Sequence, residues 1–311
     1  MTEGRKLRVA MLYGGFSAER EVSLSSGREC AAAARSLGHE VVAIDVTRDV
    51  AGLVAALTPR PDVVLNALHG RWGEDGCVQG LLNLLDIPYT HSGVLASALA
   101  MDKPTAKRVF EAAGLRCPGG EVLHRSLVEA GDPMPRPYVV KPIDEGSSVG
   151  VTIVQPGDNK PAIHDGAWPY GDAVLVEPYI PGRELTVAVM GDRALAVTEL
   201  RPKQGFYSYE AKYTEGKTEH LVPAPVPQAI YDQAMDEAVA AHRALGCRGV
   251  SRADFRYDDR PGQGEAGGLY LLEVNTQPGM TPLSLVPEQA AHLGISFPEL
   301  IGWMLEQAAC D

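Results

Sequence analysis

The sequence predicts an α/β protein built from more than one structural unit. Three observations carry that expectation. Over the first 90 or so residues, short apolar runs alternate with helical ones, which argues for a parallel sheet covered on both faces. From Tyr138 onward the pattern becomes strand-rich. The 311 residues are enough for two or three units with real cores.

Each element has a local reason. Residues 7–13 are apolar and end in Gly14-Gly15, a strand followed by a turn. An Ala-rich helix is expected from about Ser23 to Leu37, with Gly38 as its stop. Val41–Val46 and Asp62–Leu68 read as the next strands, the second running into His69-Gly70. A helix around 76–85 and a short strand at Ile87–Tyr89 come next. Loops leaving the carboxyl ends of such strands are the usual ligand sites. A helix over 102–114 begins at Asp102-Lys103-Pro104, with proline in its first turn. Strands are expected at Tyr138–Lys141, Val149–Val154, Val174–Glu177 and Glu184–Leu200, the last split by the turn Met-Gly-Asp-Arg. Residues 202–220 are polar and aromatic with little periodicity and read as a long functional loop, with 205–220 as a lid. Pro227–Leu245 is amphipathic, with Ile230, Ala234, Met235, Ala238 and Val239 on one stripe. A helix at 296–309 closes the chain.

Composition narrows the partners. Hydrophobic residues make up 45% and charged residues 22%, ordinary for a soluble enzyme. A net charge of −12 disfavours nucleic acid and anionic membranes as partners, so anionic substrates must be met by local cations. The five cysteines show no Cys-x-x-Cys spacing, which fits reduced thiols in the cytoplasm. No apolar run approaches the roughly 18 residues needed to span a bilayer, and the N-terminus carries no apolar leader.

The chemistry concentrates in two strands, Ser251–Tyr257 and Leu271–Met280. Residues two apart share a face of a strand. Arg252 therefore projects with Asp254, and Glu273 with Asn275. Ala253, Phe255, Leu272 and Val274 fall on the core faces. Pro261-Gly262-Gln263-Gly264 between them suits a hairpin turn. Paired, the strands would bring two carboxylates, an amide and a guanidinium to one pocket, oxygen donors of the kind Mg²⁺ takes beside phosphates. The competing reading is a solvated outer face.

Other stretches are individually ambiguous. Lys141 ends an apolar strand and leads into Asp144-Glu145-Gly146-Ser147-Ser148-Val149-Gly150, a loop suited to phosphates or an ordinary hairpin turn. Lys103 is by default a solvated lysine. Glu177-Pro-Tyr179-Ile180 with Glu184 could meet an adenine and its ribose, or simply end a strand. Gly14-Gly15 lacks the rest of a Gly-x-Gly-x-x-Gly fingerprint, which disfavours a nicotinamide oxidoreductase. Glu19 and Arg20 stand there instead, either a site for a substrate ammonium or a surface salt bridge. No Gly-x-Ser-x-Gly or Cys–His pattern points to a side-chain nucleophile, and His69 and His91 lack zinc-ligand companions.

Taken in order, seven segments resemble the D-alanine–D-alanine ligases of the ATP-grasp superfamily. They are residues 14–24 (Gly-Gly-Phe-Ser-Ala-Glu-Arg-Glu-Val-Ser-Leu), 67–76, 89–103, 140–150 (Val-Lys-Pro-Ile-Asp-Glu-Gly-Ser-Ser-Val-Gly), 206–213, 251–255 and 272–287. The resemblance implies an ATP-grasp fold with an N-terminal Rossmann-like substrate domain (1–95), a small central α+β subdomain (96–183) and a C-terminal α+β catalytic subdomain (184–311). It implies ATP-driven ligation of two D-alanines through an acylphosphate, in a cytoplasmic homodimer. Lys103, Lys141 and Lys212 would contact the ATP phosphates. Glu177, Tyr179 and Ile180 would line the adenine, and Glu184 the ribose. Asp254, Glu273 and Asn275 would hold two Mg²⁺ ions, for which Mn²⁺ could substitute. Glu19 would bind the ammonium of the first D-alanine, with Ser147 and Tyr213 linking it to two loops and His69 also in the substrate site. Arg252 and the Gly279 amide would stabilise the oxyanion. Ser284 and Leu285 would bind the second carboxylate. Ser208 and Leu283 depart from the family's usual residues at positions that carry no chemistry. Tyr213 after Lys212 matches the dipeptide-forming members and argues for an amine nucleophile over D-lactate. A ligase with D-serine or D-lactate as second substrate, and a non-catalytic nucleotide-binding protein, are the rival readings.

Overall fold

The computed structural model describes residues 5–159, 162–163, 168–203, 216–260 and 268–311. The first sheet is parallel, with β1 (Arg8–Gly14) between β2 (Glu40–Val46) and β3 (Val63–Asn66). Its alternating side chains divide between two cores. Val9, Met11 and Leu65 pack with Cys30, Ala31 and Ala34 of α1 (Arg20–Ser36) and with Leu300, Ile301 and Met304 of the distant α9 (Phe297–Glu306). Ala10, Leu12 and Val64 face the other way, onto Leu53 of α2 (Val50–Ala56) and Val78 and Leu82 of α3 (Cys77–Leu84). Both faces are therefore covered, as a parallel sheet requires. The strand expected at 87–89 reduces to single bridges of Tyr89 with Val64 and Ala309.

Two helices come next, α4 (Val94–Met101) and α5 (Lys103–Ala112). Asp102 caps α5 by accepting from the Thr105 amide at 2.9 Å, and Pro104 sits in its first turn. Beyond them lies a four-stranded antiparallel sheet, ordered β4 (Glu121–His124), β7 (Ala173–Pro178), β5 (Tyr138–Pro142), β6 (Thr152–Val154), with α6 (Arg125–Ala130) beside it. β6 starts later than the Val149 expected, because Ser147, Ser148 and Gly150 all adopt positive φ and turn the chain first.

The third sheet has the order β10 (Thr218–Leu221), β9 (Arg193–Pro202), β8 (Arg183–Met190), β11 (Val250–Asp258), β12 (Gly268–Asn275). One end of the expected long loop is thus strand: β9 runs to Pro202 and pairs with β10. Most of the expected lid lies outside the described residues, as does the turn at 261–264. α7 (Gln228–Ala244) covers one face, burying Ala234, Ala238 and Ala241 against Leu185, Val187, Ala253 and Phe255. Phe110 of α5 enters the same core. α8 (Leu285–His292) precedes α9.

β11 and β12 pair antiparallel, with Arg252 opposite Asn275 and Asp254 opposite Glu273. A register shift after Asp254 then sets Phe255 against Leu271. The extra residue is Leu272, and a bulge of this kind reverses the facing of the residues beyond it. The expected core position of Leu272 is therefore corrected: Leu271 is fully buried, while Leu272 lines a cleft. Among the described residues no helix is long and apolar enough to cross a membrane, and all five cysteines are free thiols.

Candidate active site

Two connected chambers lie beside the β11–β12 pair. The first, between the four-stranded and five-stranded sheets, is a cleft of about 940 Å³ including its open mouth. Val139, Lys141, Ile153 and Glu177 form one wall. Glu184, Asp254, Arg256 and Leu272 form the other, and Tyr179 and Ile180 close the end. The second chamber, about 850 Å³, opens toward the first sheet. Glu19, His69 and Ser147 stand on one side of it, and Arg252, Asn275, Gly279, Ser284 and Leu285 on the other. Lys103, Glu145 and Glu273 line both chambers and mark the place where they meet. Every site residue expected from the sequence and described in the structure lines one of these spaces. Lys212 and Tyr213 lie outside the described residues.

The first chamber holds a buried charge triad. Glu177 accepts from Lys107 on one oxygen and lies 2.6 Å from the Lys141 ammonium on the other. All three side chains are at most 10% exposed. Burial alone would raise the Glu177 pKa, but the charges of Lys141 and Lys107 outweigh it and hold the carboxyl below its ordinary range. The sequence reading missed Lys107. Its signal was the i,i+4 spacing from Lys103, which places both lysines on one face of α5.

At the junction, the Lys103 ammonium donates to the Glu145 carbonyl and lies 3.4 Å from Glu273. The Lys103 amide also donates to Ile143, fixing the start of α5 to the loop after β5. Burial, then the charge of Asp144, raises the pKa of the Glu145 carboxyl. Arg252 forms a two-pronged ion pair with Asp254 at 2.7–2.8 Å, and the Thr186 hydroxyl donates to the same carboxylate at 2.7 Å. The Asn275 side-chain oxygen accepts from the Gln277 amide at 2.8 Å. Asp254, Glu273 and Asn275 thus present oxygen donors from one face of adjacent strands, and each oxygen retains further lone pairs. That donor chemistry fits Mg²⁺.

The second chamber ties the first sheet to the third. The Gln277 side chain donates to the Leu68 carbonyl and accepts from Asn66 at 2.8 Å. Glu19, at the start of α1, is buried and accepts from the Ser147 hydroxyl. Gly70 has φ +69°, and a Cβ there would stand 2.9 Å from the Glu19 carboxylate, so only glycine fits beside it. The sequence left Glu19-Arg20 open between a ligand site and a salt bridge. The two residues divide these roles: Arg20 pairs with Asp45 at 2.6 Å on the surface, while Glu19 points into the chamber.

His69 is held from both ring nitrogens, by Glu74 at 3.1 Å and the Ser26 hydroxyl at 3.2 Å. Burial would lower its pKa, but the Glu74 hydrogen bond and the charges of Glu74 and Glu19 outweigh burial and raise it above the ordinary value. Glu74 lay within a segment singled out in the sequence, yet nothing in its spacing marked it as the partner of His69. Glu74→Gln should therefore lower the His69 pKa, as tracked by NMR titration of the ring protons. Because the folded value is raised, the contribution of the pair to stability is complete below the unfolded pKa and is lost as pH rises through the folded one. The destabilisation by Glu74→Gln should thus be largest on the acid side and shrink toward alkaline pH.

Comparison with known proteins gives a consistent result. The family described as D-ala D-ala ligase C-terminus matches residues 124–306, and that described as D-ala D-ala ligase N-terminus matches residues 53–92. The D-alanine--D-alanine ligase of Paramagnetospirillum magneticum is 61% identical over 308 residues, covering 98% of this chain and 99% of the relative. That of Acidiphilium cryptum is 59% identical, covering 97% and 99%. Among solved structures, a Bacillus anthracis D-alanine--D-alanine ligase complexed with ATP superposes with a TM-score of 0.79 at 32% identity, covering 98% of this chain and 97% of its own.

Proposed function

The chain belongs to the D-alanine–D-alanine ligase family, and we infer that it uses ATP to join two D-alanines into D-alanyl-D-alanine, a peptidoglycan precursor. It is an ADP-forming acid–amino-acid ligase with the ATP-grasp fold. The observation that carries the reading is the meeting of the two chambers at Lys103, Glu145 and Glu273. A nucleotide in one and an amino acid in the other would face each other across that neck.

The chemistry starts from the electrophile. A carboxylate resists attack by an amine, so it is first phosphorylated by the ATP γ-phosphoryl group. The second D-alanine's amine then attacks the acyl carbon, and phosphate leaves. Phosphoryl transfer asks chiefly for positioning and charge neutralisation. We assign Lys103, Lys141 and Lys212 to the phosphates, Glu177, Tyr179 and Ile180 to the adenine, and Glu184 to the ribose. Asp254, Glu273 and Asn275 would hold two Mg²⁺ ions, or Mn²⁺ in their place, which when bound neutralise charge on the phosphates. Glu19, oriented by Ser147, takes the ammonium of the first D-alanine. The cationic tendency of His69 suits the carboxylate of that same substrate. Arg252 and the Gly279 amide receive the oxyanion as the tetrahedral carbon forms. Ser284 is the N-cap of α8, and its hydroxyl accepts from the Thr281 amide at 2.9 Å. With Leu285 it offers the second carboxylate a helix N-terminus, a favourable place for an anion.

The segments 1–95, 96–183 and 184–311 are proposed as the three units of the fold. The scattered thiols and the use of ATP support a cytoplasmic location, the net charge of −12 speaks against nucleic-acid and anionic-membrane partners, and membership of the family supports a homodimer. Analytical ultracentrifugation tests the dimer.

A coupled assay with ATP, Mg²⁺ and D-alanine tests the activity. Phosphate release dependent on D-alanine, absent with L-alanine, is expected. D-serine and D-lactate as second substrates should give little product, because the family relatives at about 60% identity bear the name of D-alanine ligation. Nucleotide binding without D-alanine-dependent phosphate release would refute the reading.

A further inference from the structure

We propose that Arg256 is a positioning residue for the nucleotide, holding Glu184 and the 179–182 turn so that the cleft reads the ribose hydroxyls. The inference rests on the placement of ATP in the first chamber. Arg256 comes after Arg252 and Asp254 on the same face of β11, and Glu184 stands directly opposite it on β8. Its guanidinium reaches four groups. Nε donates to the Ile180 carbonyl at 3.0 Å, one terminal nitrogen to the Gly182 carbonyl at 2.9 Å and the Tyr179 hydroxyl at 3.3 Å, and the other meets Glu184 at 3.4 Å. It also lies 5.5 Å from the centre of the Tyr179 ring.

These partners share one property. Tyr179, Ile180 and Glu184 are the groups assigned above to the adenine and ribose, and all of them line the same cleft as Arg256. The side chains of Arg256 and Glu184 are only 15% and 20% exposed. The turn itself is tightly seated: Gly182 has φ +93°, and a Cβ there would lie 2.1 Å from the Tyr257 carbonyl. A backbone packed that closely has few ways to adjust. A planar, permanently charged fork fixes several acceptors at once, which a lysine's single ammonium cannot do. Arg256 therefore sets where the Glu184 carboxylate stands, while β11 sets where Arg256 stands. Nucleotide recognition and the Arg252–Asp254 pair are thereby built on one strand.

The test compares ATP with 2′-deoxy-ATP as substrate in D-alanine-dependent phosphate release, using the full-length enzyme. For Arg256→Met, the KM for ATP should rise about tenfold with kcat within about twofold, the pattern of lost ground-state binding. The preference for ATP over 2′-deoxy-ATP in kcat/KM should fall about fivefold or more, to the level of Glu184→Gln. The double variant should show no further fall. Arg256→Lys, which keeps the charge but loses the fork, should be intermediate and serves if the methionine variant folds poorly. A KM rise equal for the two nucleotides, with the preference unchanged, would reduce Arg256 to a structural role and overturn the proposal. So would a wild-type KM in both variants. An inactive wild-type enzyme would instead bring down the nucleotide assignment itself, so the two failures are distinguishable.

Discussion

Replacing Arg252 with alanine should lower kcat by about 10²–10³-fold with the fold retained, the loss typical of removing one donor to an oxyanion. Among the described residues, Arg252 is the one guanidinium that lines the second chamber. In this structure it is held by Asp254, which keeps it on the floor of the site rather than free to sample solvent. The penalty should fall on kcat more than on KM, because the oxyanion exists only as the tetrahedral carbon forms. The fold should survive because Arg252 contributes nothing to the apolar core on the other face of β11. Steady-state kinetics with thermal unfolding as a control is the measurement. Near-wild-type turnover would remove Arg252 from the mechanism.

The largest loss of stability should come from Glu177→Ala. It leaves Lys107 and Lys141 buried with no carboxylate between them. Breaking a buried pair by removing one partner typically costs about 3–5 kcal/mol. Urea unfolding should show a midpoint well below wild type. Glu177→Gln, which keeps the shape, isolates the charge. Because the folded pKa of Glu177 is depressed, its contribution is present above the unfolded carboxyl value and is lost as pH falls through the lower folded one. The gap between wild type and Glu177→Gln should therefore be full at neutral pH and close only below about pH 4. A gap that stays constant through that range would show that the triad carries no net charge stabilisation.

Much of this arrangement was legible in the sequence, for identifiable reasons. Period-two alternation in a strand is a strict geometric rule, so Arg252, Asp254, Glu273 and Asn275 could be placed on one face before any coordinates. Applied one step further, the same rule would have brought in Arg256. It failed at Leu272 because a bulge is a property of two strands together and leaves little mark on either alone. Capping gave the start of α5, through Asp102 and Pro104. Other elements were illegible. α4 is nearly all apolar, with no amphipathic stripe to announce it, and α2 and α6 are too short for a period to register. The Glu177–Lys107–Lys141 triad joins residues 70 and 36 positions apart, and the His69–Ser26 contact crosses 43. Such pairings come from topology, which local pattern does not encode.

The covering of the first sheet by α9 has a bearing on how the chain is made. Leu300, Ile301 and Met304 seal a face whose strands, at Arg8–Gly14 and Val63–Asn66, are synthesised far earlier in the chain. Until they arrive, the core around Val9, Met11 and Leu65 has α1 but lacks its α9 side. The first sheet is thus left with one face incompletely covered until α9 has been made. Its closure waits on the synthesis of α9, a helix encoded far downstream of the strands it covers.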